Sequence, residues 1–131
     1  MKFIFLSNVG SDEYGNWLND QLKKQNVNLY LQFENFETII KTRFLANGQQ
    51  ILRVDNEKIC SSEMRKKLAI MFETLIQKVD CVIISDYGKG TSFDAVDLIS
   101  ISKKSSIPVF VDPKSKNLNM YSGCDFITPN M

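Results

Sequence analysis

Three short apolar runs in the second half of the chain each end in a polar cluster. Cys81-Val82-Ile83-Ile84 leads into Ser85-Asp86-Tyr87-Gly88-Lys89-Gly90, Pro108-Val109-Phe110-Val111 into Asp112-Pro113-Lys114-Ser115-Lys116, and Asp125-Phe126-Ile127-Thr128 into Pro129-Asn130. A Gly88-Lys89-Gly90 turn lets backbone amides approach an oxyanion closely, with Lys89 adding a positive charge and Lys114 a second one from the neighbouring strand. Such a set holds a phosphate. Taken alone, a glycine-lysine turn is more often only a turn, Asp86 and Asp112 only cap helices, and the spacing is not that of a Walker loop. Three clusters side by side shift the balance towards a site. Histidine is absent, which removes Ser-His-Asp and Cys-His mechanisms and most zinc sites. Asp, Glu, Lys, Arg and backbone amides remain, and these suffice for phosphoryl transfer, where positioning and charge stabilisation dominate.

A second cationic group lies earlier. Lys41 and Arg43 are two apart and share a strand face, and Arg53 falls on the partner strand. They suit an anionic substrate, although charge that merely solubilises an exposed hairpin is commoner at this spacing. Tyr14, Trp17 and the nine phenylalanines read as core rather than as stacking platforms. Cys60, Cys81 and Cys124 form no close pair and are odd in number, so all three read as reduced, packed thiols.

These groups need a scaffold, and 131 residues with 44% hydrophobic and 24% charged residues support one domain with a core. A net charge of +1 without runs of one sign gives no footprint for nucleic acid or an anionic membrane. No apolar stretch has the length of a membrane span or of a signal peptide's core, so the expected location is the cytoplasm. Phe3 to Leu6 reads as a strand, followed by a helix capped by Ser11 that lays Tyr14, Trp17, Leu18 and Leu22 on a sheet. Val27, Leu29, Leu31 and Phe33 alternate with polar residues as in a half-exposed strand. Thr38–Leu45 and Gln50–Asp55 flank Asn47-Gly48, which predicts an antiparallel hairpin. Ser61 to Val79 carries Met64, Leu68, Met71, Phe72, Leu75, Ile76 and Val79 on one stripe of a long helix. The late runs are apolar on both faces, as in parallel strands covered by helices, with a helix over Phe93–Ser102 capped by Thr91 or Ser92 and a further short helix. The whole predicts a three-layer α/β fold whose mainly parallel sheet unites the late strands with the Phe3 strand, plus a protruding hairpin.

In order, these segments resemble the sugar kinases of the ribokinase (PfkB) superfamily, and within it the bacterial D-glycero-β-D-manno-heptose-7-phosphate kinases, often the kinase half of a bifunctional heptose kinase and adenylyltransferase. Val9-Gly10-Ser11-Asp12-Glu13 with Gly15 and Leu18 resembles the VGxDexG turn of that family. Lys41-Thr42-Arg43 and Gln49-Gln50-Ile51-Leu52-Arg53-Val54-Asp55 resemble its KTR and NQQxxRxD hairpin, and the three late clusters resemble SDYxKG, DPK and TPN. Gly48 replaces an asparagine of the pattern and Ser115 a glycine.

The resemblance implies a ribokinase-like fold, ATP and Mg²⁺ as cofactors, and phosphorylation of heptose 7-phosphate to the 1,7-bisphosphate for ADP-heptose and lipopolysaccharide core synthesis. It puts Lys89, Lys114 and Asn130 on the ATP phosphates, with Asp86 and Asp112 as orienting or magnesium-shell carboxylates, and Lys41, Arg43, Gln49 and Arg53 on the sugar-phosphate side. It also implies that residues 1–131 are a partial kinase domain. The sugar-binding aspartates with their Gly-Gly turn and the Gly-Ala-Gly-Asp segment with the catalytic base have no counterpart here, so no catalytic residue is assigned within the chain and the chain alone is expected to be inactive. The expected partners are a sugar phosphate, ATP, and a second copy or a complementary kinase fragment, with no nucleic acid and no membrane. The alternative is a non-catalytic pseudokinase or a sugar- or nucleotide-binding module.

Overall fold

The computed structural model describes residues 3–25, 27–57, 60–88 and 95–128. Strand β1 (Ile4–Gly10) runs in parallel with β2 (Asn28–Glu34), from Ile4 opposite Asn28 to Gly10 opposite Glu34. Between them lies α1 (Glu13–Lys23), capped by Asp12 rather than Ser11: the Asp12 carboxylate accepts from the Gly15 amide at 2.8 Å. Ser11 is otherwise engaged, because its amide extends the strand ladder to the Glu34 carbonyl at 2.8 Å.

Strands β3 (Ile40–Ala46) and β4 (Gln49–Asn56) form the predicted hairpin. Its turn residues Asn47 and Gly48 have φ of 51° and 76°, the positive pair a tight two-residue hairpin loop requires. Helix α2 (Ser62–Leu75) starts at Ser61, whose hydroxyl accepts from the Met64 amide, and runs on into a 3₁₀ turn at Ile76–Lys78. Strands β5 (Val82–Ser85), β6 (Val109–Asp112) and β7 (Phe126–Ile127) form a parallel ladder in that order. Helix α3 (Ala95–Lys104) connects the first two, and a 3₁₀ turn (Leu118–Tyr121) stands where a short helix is expected before β7. Phe93 and the candidate caps Thr91 and Ser92 lie outside the described residues.

The core forms where α2 and α3 cover the late strands: Leu68, Phe72 and Ile76 meet Val82 and Ile84 of β5, Val109 and Val111 of β6, and Leu98 and Ile99 of α3. Leu6 of β1 joins this cluster, and Asn8 reaches Cys60 just before α2. Phe5, Ser7 and Val9 instead line a small cavity with Leu18 of α1. Because neighbouring strand residues point to opposite faces, α1 and α2 sandwich β1 in a helix-sheet-helix arrangement.

Four further expectations are corrected. Strand β1 shares packing with the late strands but not their ladder: among the described residues, β1–β2 and β5–β6–β7 are separate hydrogen-bonded sheets. Tyr14 and Trp17 are 55% and 61% exposed, because a two-stranded sheet is too narrow to cover the whole apolar stripe of α1. Near the end of β2 the alternation is inverted, with Gln32 buried and Phe33 exposed. Cys60 is buried, but Cys81, ahead of β5, is exposed.

Candidate functional site

The carboxyl ends of β5, β6 and β7 lie at one edge. Ser85 is opposite Asp112, the Asp86 amide donates to the Asp112 carbonyl at 2.9 Å, and the Thr128 amide donates to the Val111 carbonyl at 2.9 Å. Parallel pairing forces this, since it starts and stops all three strands in the same direction. Gly88 turns with φ of 64°, and a Cβ there would lie 3.4 Å from Cγ of Lys114. The stem of Lys114 therefore runs along the glycine turn, with the residue exposed. Asp86, Asp112, Gly88, Lys114 and Thr128 thus share one edge, while Lys89 and Asn130 lie outside the described residues.

Among the described residues, Asp86 ties two loops together. Its Oδ1 accepts from the Gly88 amide at 2.7 Å and its Oδ2 from the Tyr121 hydroxyl at 2.6 Å. That hydroxyl also accepts from the Ser115 amide at 3.2 Å. Tyr121 is 1% exposed, and burial, reinforced by the hydrogen bond to Asp86, pushes its phenol above the usual tyrosine range. Tyr121 joins the Asp86 loop to the Lys114 loop, and the sequence reading missed it. A lone tyrosine in a four-residue 3₁₀ turn belongs to no periodic pattern, so no local signal marks it.

On the hairpin, Lys41 is opposite Asp55 and Arg43 opposite Arg53. The Arg53 guanidinium holds Asp55 through Nε at 2.8 Å and through Nη2, and this pairing raises its pKa further. Lys41 lies 3.7 Å from Glu57. Two guanidinium groups placed directly across strands repel unless an anion lies between them. Gln49 closes the same hairpin at the turn, opposite Ala46. The hairpin cations stand on β3 and β4, and Lys114 stands on the loop after β6. The cavity beside α1, about 140 Å³, is mostly apolar and suits neither.

Among the described residues no group of three or more Asp, Glu, Cys or His side chains could hold a metal ion. Magnesium that reaches a protein with nucleotide phosphates needs only one or two carboxylates. Asp112 at the strand edge fits that demand, with Asp86 occupied in holding the Gly88 turn and Tyr121. The exposed ammonium of Lys114 beside a glycine turn fits the phosphates.

No family model matches the chain. Solved kinases share its fold: a ribokinase of Giardia lamblia (TM-score 0.72, 15% identity, 98% of this chain and 41% of that one) and the Arabidopsis thaliana ribokinase complexed with ribose and ATP (TM-score 0.70, 16% identity, 98% and 43%). The fold is ribokinase-like α/β, present as an incomplete domain.

The sequence relationship is narrower. The bifunctional protein HldE of Haemophilus influenzae is 37% identical over 124 residues, 94% of this chain and 26% of that protein. HldE of Nitratiruptor sp. is 39% identical over 127 residues, 95% of this chain and 27% of that protein. Along nearly its whole length the chain is thus similar to one stretch of HldE, and it spans about a quarter of the length of these curated relatives.

Proposed function

We propose that the chain is the phosphate-handling part of a sugar-phosphate kinase, with the carboxyl edge of β5–β7 taking the phosphates of ATP and the cationic hairpin face taking the sugar phosphate. The observation that carries this reading is the approach of Lys114 to the Gly88 turn at an edge where three strand ends meet. Lys89 and Lys114 neutralise phosphate charge, Asn130 adds a polar contact, Asp112 joins the shell of Mg²⁺ and Asp86 orients the turn. Lys41, Arg43, Gln49 and Arg53 hold the phosphate already on the sugar. ATP supplies the transferred phosphoryl group when bound. The substrate class is heptose 7-phosphate, phosphorylated to the 1,7-bisphosphate on the way to ADP-heptose for lipopolysaccharide, which places the protein with cytoplasmic ATP.

A base and an anion hole each contribute orders of magnitude in rate, and neither is assigned within the chain. The chain alone should transfer no phosphate from ATP. Joined in one polypeptide to the flanking kinase segments of the Haemophilus influenzae relative, it should phosphorylate the heptose phosphate. Silence of that fusion, with the fusion folded, would favour a pseudokinase; turnover by the chain alone would show that it carries its own base, with Asp86 and Asp112 the first to test.

A further inference from the structure

The Val9-Gly10-Ser11-Asp12 to Gly15 segment has no part in the phosphate sites, yet it carries a dense hydrogen-bonded cluster. Asp12 Oδ1 accepts from the Gly15 amide at 2.8 Å and from the Thr38 hydroxyl at 2.6 Å, and Oδ2 accepts from the Thr38 amide at 2.7 Å. Thr38 Oγ1 accepts in turn from the Gly10 amide at 3.0 Å. The backbones here are too close for any side chain: a Cβ on Gly10 would lie 2.4 Å from the Phe36 carbonyl oxygen, and one on Gly15 would lie 2.0 Å from that of Gly10.

Thr38 stands two residues before β3, in one stem of the hairpin. The other stem passes Cys60, which is 3% exposed and accepts from Asn8 Nδ2 at 3.8 Å. Both stems therefore meet the carboxyl end of β1. Beyond them, six of the seven residues of β3 and all eight of β4 are exposed. The two strands pack chiefly on each other, so the stems set the direction of the hairpin.

We propose that Asp12 is a positioning residue whose carboxylate pins the hairpin stem through Thr38, and so fixes where Lys41, Arg43 and Arg53 stand relative to the α/β body. The consequence for substrate rests on the function proposed above; the geometry does not. The double use of the carboxylate separates this role from helix capping. A serine at position 12 can still accept from the Gly15 amide but cannot also clasp Thr38, and Thr38→Val removes the hydroxyl half of the clasp while leaving Asp12 to cap α1 and to accept from the amide of residue 38.

Residual dipolar couplings of the whole 131-residue chain, without ligand, read the orientation directly. In the unmodified chain, β3–β4 and β1–β2 should fit one alignment tensor. In Asp12→Ser the hairpin couplings should shrink to roughly half or less by motional averaging, and in Thr38→Val, where the amide bond to Asp12 remains, by a smaller but measurable amount, with those of β5 and β6 unchanged in both. A hairpin that keeps the common tensor in both variants would overturn the proposal. If Asp12→Ser fails to fold, Thr38→Val decides, since the helix cap is intact in it. Failure of a sugar phosphate to bind would count against the functional reading and leave this one standing.

Discussion

The Tyr121 hydroxyl sits between two loops and answers to both, accepting from the Ser115 amide and donating to Asp86. A phenol whose pKa is raised in the fold contributes stability that is fully present below its unfolded value and lost as pH rises through the folded one. The window is therefore alkaline, above the ordinary 10.0. An absorbance titration should show a late phenolate that disappears in Tyr121→Phe and titrates earlier in Asp86→Asn. A titration unchanged by Asp86→Asn would mean that the hydrogen bond does not hold in solution. At this scale the sequence showed the charged residues, because lysine and aspartate after an apolar run stand out by type. It did not show Tyr121, whose role depends on a contact 35 residues away, nor the choice of Asp12 over Ser11, which was decided by a partner on β2.

At the scale of elements, the glycines separate two causes of strain. Gly10→Ala drives a Cβ into the backbone of residues 36–38, an overpacking that costs about 1–3 kcal/mol. Gly48→Ala meets nothing within 4 Å and carries only the strain of a φ of 76°, about 1–2 kcal/mol. Hydrogen exchange should therefore show the hairpin stem released in the first variant and only the turn frayed in the second. Equal behaviour would remove the stem from its place in the account. The hairpin was legible because Asn-Gly demands one kind of turn, and the late strands because their apolar runs suit burial on both faces. The outward turn of Phe33 was not, since strand alternation predicts a face only when one side alone is covered.

At the scale of the whole molecule, one face of the late sheet is packed by α2 and α3 and the other carries Ile83, Phe110 and Phe126 in register, at 68%, 37% and 60% exposure. The two phenylalanine rings stack with centroids 4.8 Å apart. Parallel sheets are normally covered on both faces, and an apolar row of this kind favours association. Light scattering coupled to size-exclusion chromatography should show concentration-dependent self-association, weakened by Phe126→Glu. A monodisperse monomer at high concentration would contradict this. The layered α/β order was legible from the sequence of elements, but the separation of β1–β2 from β5–β7 was not, because residue patterns show that strands are buried without showing which edges meet.

The central claim is the division of labour between the strand edge and the hairpin. It is tested most directly by Michaelis constants in the fusion that restores the flanking kinase segments. Losing one charge-assisted hydrogen bond, about 1.5–3 kcal/mol, should raise the KM for ATP roughly tenfold or more in Lys114→Met with little effect on that for the sugar phosphate. Arg43→Met should do the reverse. A Lys114→Met enzyme with an unchanged KM for ATP, or two variants that weaken both substrates alike, would contradict the account.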